Sequence, residues 1–141
     1  MIGPRSQPST GGTGSHATIL LVEDDRLIRL ALSHELRKSG YEVLAAETAE
    51  GALALLLADP ARVDAVLTDF QLPGLSGLDL LDELHARGVS VPVLLMSAHP
   101  DELLRALQRG HQEVPWLAKP FGENELTTRL ARLLAGTDDG S

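Results

Sequence analysis

The chain contains no cysteine. That absence excludes disulfides, thiolate nucleophiles and cysteine-ligated zinc or iron–sulfur centres, and it permits a reducing compartment. Aromatic residues are scarce, with one Trp, one Tyr and two Phe among 141 residues, so the core must be aliphatic, built mainly from Leu, Val and Ala. No apolar run approaches the ~20 residues a membrane span needs, which excludes a membrane-spanning helix and fits a cytoplasmic location. Basic residues are outnumbered, 12 against 20 acids, for a formal net charge of −8. Such a chain repels phosphate backbones, so direct nucleic-acid binding is not expected. Residues 1–17 are rich in Gly, Ser, Thr and Pro and lack the apolar stretch of roughly 7–15 residues that a signal peptide carries. They read as a disordered leader, and 136–141 as a disordered tail. The stretch between, 18–135, has the size of one domain.

Within that stretch two periodicities alternate. Ala17 to Val22 is a short aliphatic run that stops at Glu23-Asp24-Asp25. It is too short for a helix and fits a strand buried on both faces. From Arg26 to Ser39 the apolar spacing turns helical through Leu27, Ile28, Ala31, Leu32 and Leu36, with Asp25 as a candidate cap and Gly40 as a stop. Tyr41–Ala46 reads as a second strand, and Thr48 caps a helix over 49–58 that Asp59-Pro60 breaks. Asp64–Asp69 is a third strand, followed by the loop 71–77 and a helix carrying Leu78, Leu81 and Leu84. Val91–Met96 is a fourth strand. Pro100, Asp101 and Glu102 open a helix running to about Arg109. Trp116–Ala118 is a short fifth strand, and the helix over 123–135 sets Leu126, Leu130, Leu133 and Leu134 on one face. Five strands alternating with five helices predict a doubly wound α/β fold with a parallel sheet covered on both sides. Right-handed crossovers then bring every strand's carboxyl end to one edge, where such sheets bind ligands.

At that edge stand Glu23 and Asp24, then Asp69, Ser97 and Lys119, with Glu47 off to one side. Clustered carboxylates suit a hard divalent cation, and a carboxylate can also act as a nucleophile toward phosphorus. Each residue alone has a plainer explanation. The acids before the first helix serve equally as a cap, Asp69 as a turn residue, Ser97 as a cap, and Lys119 as a solvated charge. Lys119 is, however, one of only two lysines in the chain, the other being Lys38. The joint pattern, with a polar residue at the same point of successive units, favours a site.

These residues carry a resemblance. ILLVEDD at 19–25, LTDFQLPGLSG at 67–77, LLMSA at 94–98 and LAKPF at 117–121 together resemble the receiver domain of bacterial two-component response regulators, over about 18–135. The resemblance implies the flavodoxin-like strand order 2-1-3-4-5 and a phosphorylatable signalling switch rather than an enzyme with a separate substrate. It implies phosphorylation of Asp69 by a histidine kinase or phosphotransfer protein, with Mg²⁺ required. By position, Asp24 is the direct metal ligand, Glu23 reaches the metal through water, and the backbone carbonyl of Gln71 is a further ligand. Ser97 matches the switch hydroxyl and Lys119 the phosphate-binding lysine. Pro120 follows a bond often cis in this family. A downstream partner would read the face of the fourth helix, fifth strand and fifth helix.

Two features depart from the family pattern. Trp116 stands where Tyr, Phe or His is usual and reads either as a switch residue or as a partly buried anchor. The segment Gly110–Pro115 is two residues longer than the commoner arrangement, so the fourth helix is expected to be short or displaced. The Pro-Trp-Leu-Ala-Lys-Pro-Phe ending resembles receivers of hybrid sensor kinases. The histidines at 16, 34, 85, 99 and 111 lack helical metal spacing and read as surface residues. Two competing functions remain: a phosphorylation-independent interaction module, which would need none of these charges, and an aspartyl-phosphate phosphatase. The latter is disfavoured because Asp69-Phe70-Gln71 lacks the second acid of that family's motif. No output domain follows the fifth helix, so the chain reads as a single-domain regulator, a phosphorelay shuttle or a receiver excised from a larger protein.

Overall fold

A computed structural model describes residues 17–136. The expected leader (but for Ala17) and tail (but for Gly136) lie outside the described residues. The element order is β1 (Thr18–Val22), α1 (Arg26–Lys38), β2 (Glu42–Ala46), α2 (Ala49–Ala58), β3 (Ala65–Asp69), α3 (Gly77–Ala86), β4 (Val93–Ser97), α4 (Pro100–Leu107), β5 (Trp116–Ala118) and α5 (Glu123–Ala135), with a short 3₁₀ turn at Pro60–Arg62. All five strands are parallel, in the order β2-β1-β3-β4-β5.

The aliphatic runs are unbroken because each central strand is buried on both sides. Leu20, Val22, Val66 and Leu95 face a cluster with Leu56 of α2, Leu80 and Leu84 of α3, and Leu103 of α4. The alternate residues Ile19, Leu21, Leu67, Leu94 and Met96 face Leu36 of α1 and Leu126, Leu130 and Leu133 of α5. One sheet thus separates two half-cores, and its carboxyl edge lies between α1 and α5 on one side and α3 and α4 on the other.

Helix boundaries follow local chemistry. Asp25 caps α1 by accepting from the Ile28 N–H at 3.0 Å, and Thr48 caps α2 through the Gly51 N–H at 2.9 Å. Ser76 and Asp79 form a reciprocal capping box on α3. Gly40, at φ +99°, takes the left-handed turn after α1.

Some sequence-based expectations are corrected. β4 starts at Val93, two residues after the expected Val91, because Pro92 has no N–H for the ladder; it extends to Ser97, which pairs with Ala118. α4 ends at Leu107 rather than near Arg109, since the chain turns there and His111 N–H returns to the Leu107 carbonyl at 2.8 Å. The apolar positions of α1 are only partly buried. Leu36 is fully covered, whereas Leu27 is 77% exposed and Ile28 40%. Ile28 and Leu32 instead line an open apolar hollow with Ala98, Pro120 and Phe121.

Candidate functional site

The end of β1 delivers Glu23 and Asp24 to the carboxyl edge, and Asp25 is consumed as the α1 cap. Glu23 is a charged residue with 1% exposure, which demands compensation. It is compensated at both carboxylate oxygens: Lys119 Nζ donates to Oε1 at 3.2 Å and the Asp25 N–H to Oε2 at 3.0 Å. Asp24 is exposed.

β3 ends in Asp69, one strand away. Thr68, fully buried, donates its hydroxyl to the Asp69 carbonyl at 3.0 Å. Directly beyond lies the start of α3, where Gly77 N–H bonds the Phe70 carbonyl. A Cβ on Gly77 would come within 2.6 Å of the Asp69 carbonyl oxygen and 2.9 Å of Leu95 Cδ2. Glycine is therefore required here by the closeness of two backbones.

Lys119 follows β5, its backbone N–H held by the Ser97 carbonyl at 2.7 Å, and the Lys119–Pro120 bond is cis, as the resemblance implied. Its ammonium lies 3.4 Å from Asp69 Oδ2 as well as 3.2 Å from Glu23. Even so, Asp69 is pushed up to about 6 from an ordinary 3.8. Burial is the largest cause, the Glu23 and Asp24 charges add to it, and Lys119 opposes it.

Glu23, Asp24 and Asp69 each offer a carboxylate oxygen, all within 4.8 Å of one another; among the described residues this is the one group of acids or histidines so arranged. Three hard oxygen donors, one exposed and one half-buried, fit a Mg²⁺ ion that keeps several waters. Ser97, 1% exposed, stands at the same edge at the end of β4, and its Oγ accepts from the His99 N–H at 2.9 Å, where α4 begins. Gln71 lies in the loop after β3, its side chain donating to Glu102 of α4 at 2.6 Å. Trp116 pairs with Leu95 in the sheet and packs, half-buried, on the α3–α4 side.

The structure thus gathers Glu23, Asp24, Asp69 and Lys119. It excludes Asp25 from the acid group and leaves Glu47 exposed. His34, His85 and His99 are exposed as expected, and His16 lies outside the described residues. His111 corrects the surface reading: its side chain is mostly buried, with Nε2 2.7 Å from Asp82 Oδ1 of α3. The α4–β5 segment packs against α3, and the contact with Asp82 brings the ring inward. Two residues escaped the sequence analysis. Thr68 offers no signal beyond being a hydroxyl in an aliphatic strand. Arg29 donates to the Glu23 carbonyl at 2.8 Å, and its signal was a cation in the first turns of a helix.

The fold and this crevice define an α/β domain that presents an acidic, lysine-bearing site at the carboxyl edge of a parallel sheet. Residues 19–131 match the response regulator receiver domain. The chain is 38% identical over 127 residues to the response regulator protein FleR of Pseudomonas aeruginosa, covering 89% of this chain and 26% of FleR. It is 37% identical over 127 residues to the response regulator MprA of Mycolicibacterium vanbaalenii, covering 87% of this chain and 53% of MprA. It therefore spans about a quarter and about half of these relatives. The solved structure of the response regulator TrrA of Thermotoga maritima, in complex with Mg²⁺-BeF, is similar at a TM-score of 0.72 and 29% identity, covering 83% of this chain and 98% of that one. The chain belongs to the response regulator receiver domain family of two-component signalling.

Proposed function

We propose that this receiver domain accepts a phosphoryl group on Asp69 from a phosphohistidine of a histidine kinase or phosphotransfer protein, and passes the change to a partner through its surface. The observation that carries the reading is the convergence of Glu23, Asp24 and Asp69 within 4.8 Å, with the Lys119 ammonium 3.4 Å from Asp69 Oδ2. A carboxylate oxygen of Asp69 forms the new bond to phosphorus, and the phosphorus–nitrogen bond to the donor imidazole breaks. With its ionisation raised to about 6, Asp69 is an anion at neutral pH, yet half-buried and poorly hydrated, which favours attack.

Glu23, Asp24, Asp69 and the Gln71 carbonyl would hold Mg²⁺, which offsets the repulsion between this acidic edge and the incoming phosphoryl oxygens. Lys119 supplies the remaining positive charge and is held in place by Glu23. The domain is a phosphoacceptor and turns over no separate substrate. Among the described residues no helix is long and apolar enough to cross a membrane, in keeping with a cytoplasmic role beside a kinase.

The signal would leave through Ser97. In the state described here its Oγ holds the His99 N–H at the start of α4. A phosphoryl group on Asp69 brings about −1.5 to −2 charge and new acceptor oxygens. Turning the Ser97 hydroxyl toward them releases the first turn of α4. Trp116 lies on the same face of the sheet as Ser97, two residues before its pairing partner Ala118, so the space opened by that movement is within its reach. Phosphotransfer from a panel of phosphorylated histidine kinases and phosphotransfer proteins tests the reading. Label should move to the wild-type chain and not to Asp69→Ala; equal labelling of both would refute the acceptor assignment.

A further inference from the structure

Helix α1 opens with cations at the positive end of its dipole, although Arg37 and Lys38 suit its carboxyl end. Its first turn holds no acid, while Arg26 and Arg29 stand within its first four positions. Cations are disfavoured at a helix amino end; Arg26 is exposed to solvent, whereas Arg29 is drawn into contact with the main chain. Arg29 is half-buried and lies one helical turn beyond the run Glu23-Asp24-Asp25. A guanidinium so placed ordinarily pairs with carboxylates through its fork of donors. Here it does not. Its Nη1 donates to the main-chain carbonyl of Glu23 at 2.8 Å and makes a longer contact to that of Asp24 at 3.4 Å. None of the ion pairs among the described residues includes it.

The consequence is a division of labour. Glu23 has every polar group engaged: its N–H on the Ala46 carbonyl at 3.0 Å, its carbonyl on Arg29, and its two carboxylate oxygens on Lys119 and the Asp25 N–H. The acid carboxylates are left unneutralised by the arginine beside them, and Asp24 remains exposed within the three-acid group. The geometry points to Arg29 as a positioning residue for the metal centre: by gripping the carbonyls of Glu23 and Asp24 it fixes the direction in which both side chains leave the end of β1. This inference rests on reading the acidic crevice as a divalent-cation site.

Charge and positioning make opposite predictions. A cation beside a cation site repels the ion, so by electrostatics alone removing Arg29 should tighten Mg²⁺ binding. If Arg29 positions the ligands, removing it should weaken binding by about tenfold, the low end of what outer-shell partners of a metal site cost. The experiment is a Mg²⁺ titration of the full chain, followed through the amide shifts of residues 23–25 and 69–71, on wild type, Asp24→Asn, Arg29→Ala and Arg29→Lys. Arg29→Ala should bind more weakly than wild type. Arg29→Lys, which keeps the charge but loses the fork, should fall between the two. In metal-free protein the Asp25 amide, which rests on Glu23, should exchange faster in Arg29→Ala. Binding by Arg29→Ala as tight as wild type or tighter contradicts the positioning role. Should that variant not fold, Arg29→Lys decides: weaker binding at unchanged charge supports the role, and unchanged affinity contradicts it. A wild type that does not respond to Mg²⁺, or responds as Asp24→Asn does, refutes the metal-site reading and the inference with it, so the two failures are distinguishable.

Discussion

Asp69 sits in an unfavourable place for a carboxylate, and that has a measurable consequence. Burial raises its ionisation to about 6, so the folded chain holds the Asp69 proton more tightly than the unfolded chain, where 3.8 applies. The ionised group therefore costs folding free energy above pH 6, and the cost disappears as pH falls through the window from about 6 to 3.8. Full linkage would be about 3 kcal/mol, and solvent access reduces it to about 1–2 kcal/mol. Asp69→Asn should accordingly be more stable than wild type by that amount at pH 7.5 in chelator, with the gain vanishing near pH 4. Urea midpoints at the two pH values measure it, and an equal gain at both would show that burial of the charge is not its source. At this scale the sequence spoke unevenly. The acids and Lys119 were legible because polar residues recurred at the carboxyl ends of four strands. The lock on Glu23 was not, since it depends on a lysine 96 residues away, and a main-chain grip such as that of Arg29 leaves no trace in apolar periodicity.

Among the elements, α3 and α4 border the proposed acceptor Asp69 most closely on one side of the sheet. α3 begins against the backbone of β3, and Gly77 permits that approach. Gly77→Ala should destabilise the chain by about 1–3 kcal/mol, because the new methyl meets a main-chain oxygen that cannot yield without moving Asp69. Thermal unfolding would reveal it, and a variant as stable as wild type would mean the α3 entry is softer than the geometry implies. α4 is short and held at both ends: Ser97 and Gln71 engage its first residues, while His111 ties the segment after it to Asp82 of α3. Beryllofluoride with Mg²⁺ should therefore produce NMR shifts concentrated at 97–103 and 114–121. Shifts confined to the neighbours of Asp69 would mean that the partner reads the loop at 70–77 instead. The helix caps at Asp25 and Thr48 were readable from local sequence. That α4 would be short was expected from Gly110–Pro115, whereas the contact of His111 with Asp82 of α3 was not, because it is non-local.

For the molecule as a whole, the fold was the most legible feature. A strand buried on both faces writes itself as an unbroken aliphatic run, and five such runs alternating with helical spacing leave few architectures. Strand order came from family resemblance, since local pattern is silent on which parallel strands adjoin. The exposed first turn of α1, with Leu27 and Ile28 largely uncovered, was illegible for a related reason: periodicity reports an apolar face but not whether another layer meets it. What unites these levels is the claim that the whole sheet serves to bring one nucleophilic carboxylate among two other acids and a lysine. Intact mass after incubation with a small acyl phosphate and Mg²⁺ tests that claim most directly. The account predicts the addition of one phosphoryl group to the wild-type chain, dependent on Mg²⁺ and abolished in Asp69→Asn. A phosphoryl group still added to Asp69→Asn, or none added to the wild type, would contradict it.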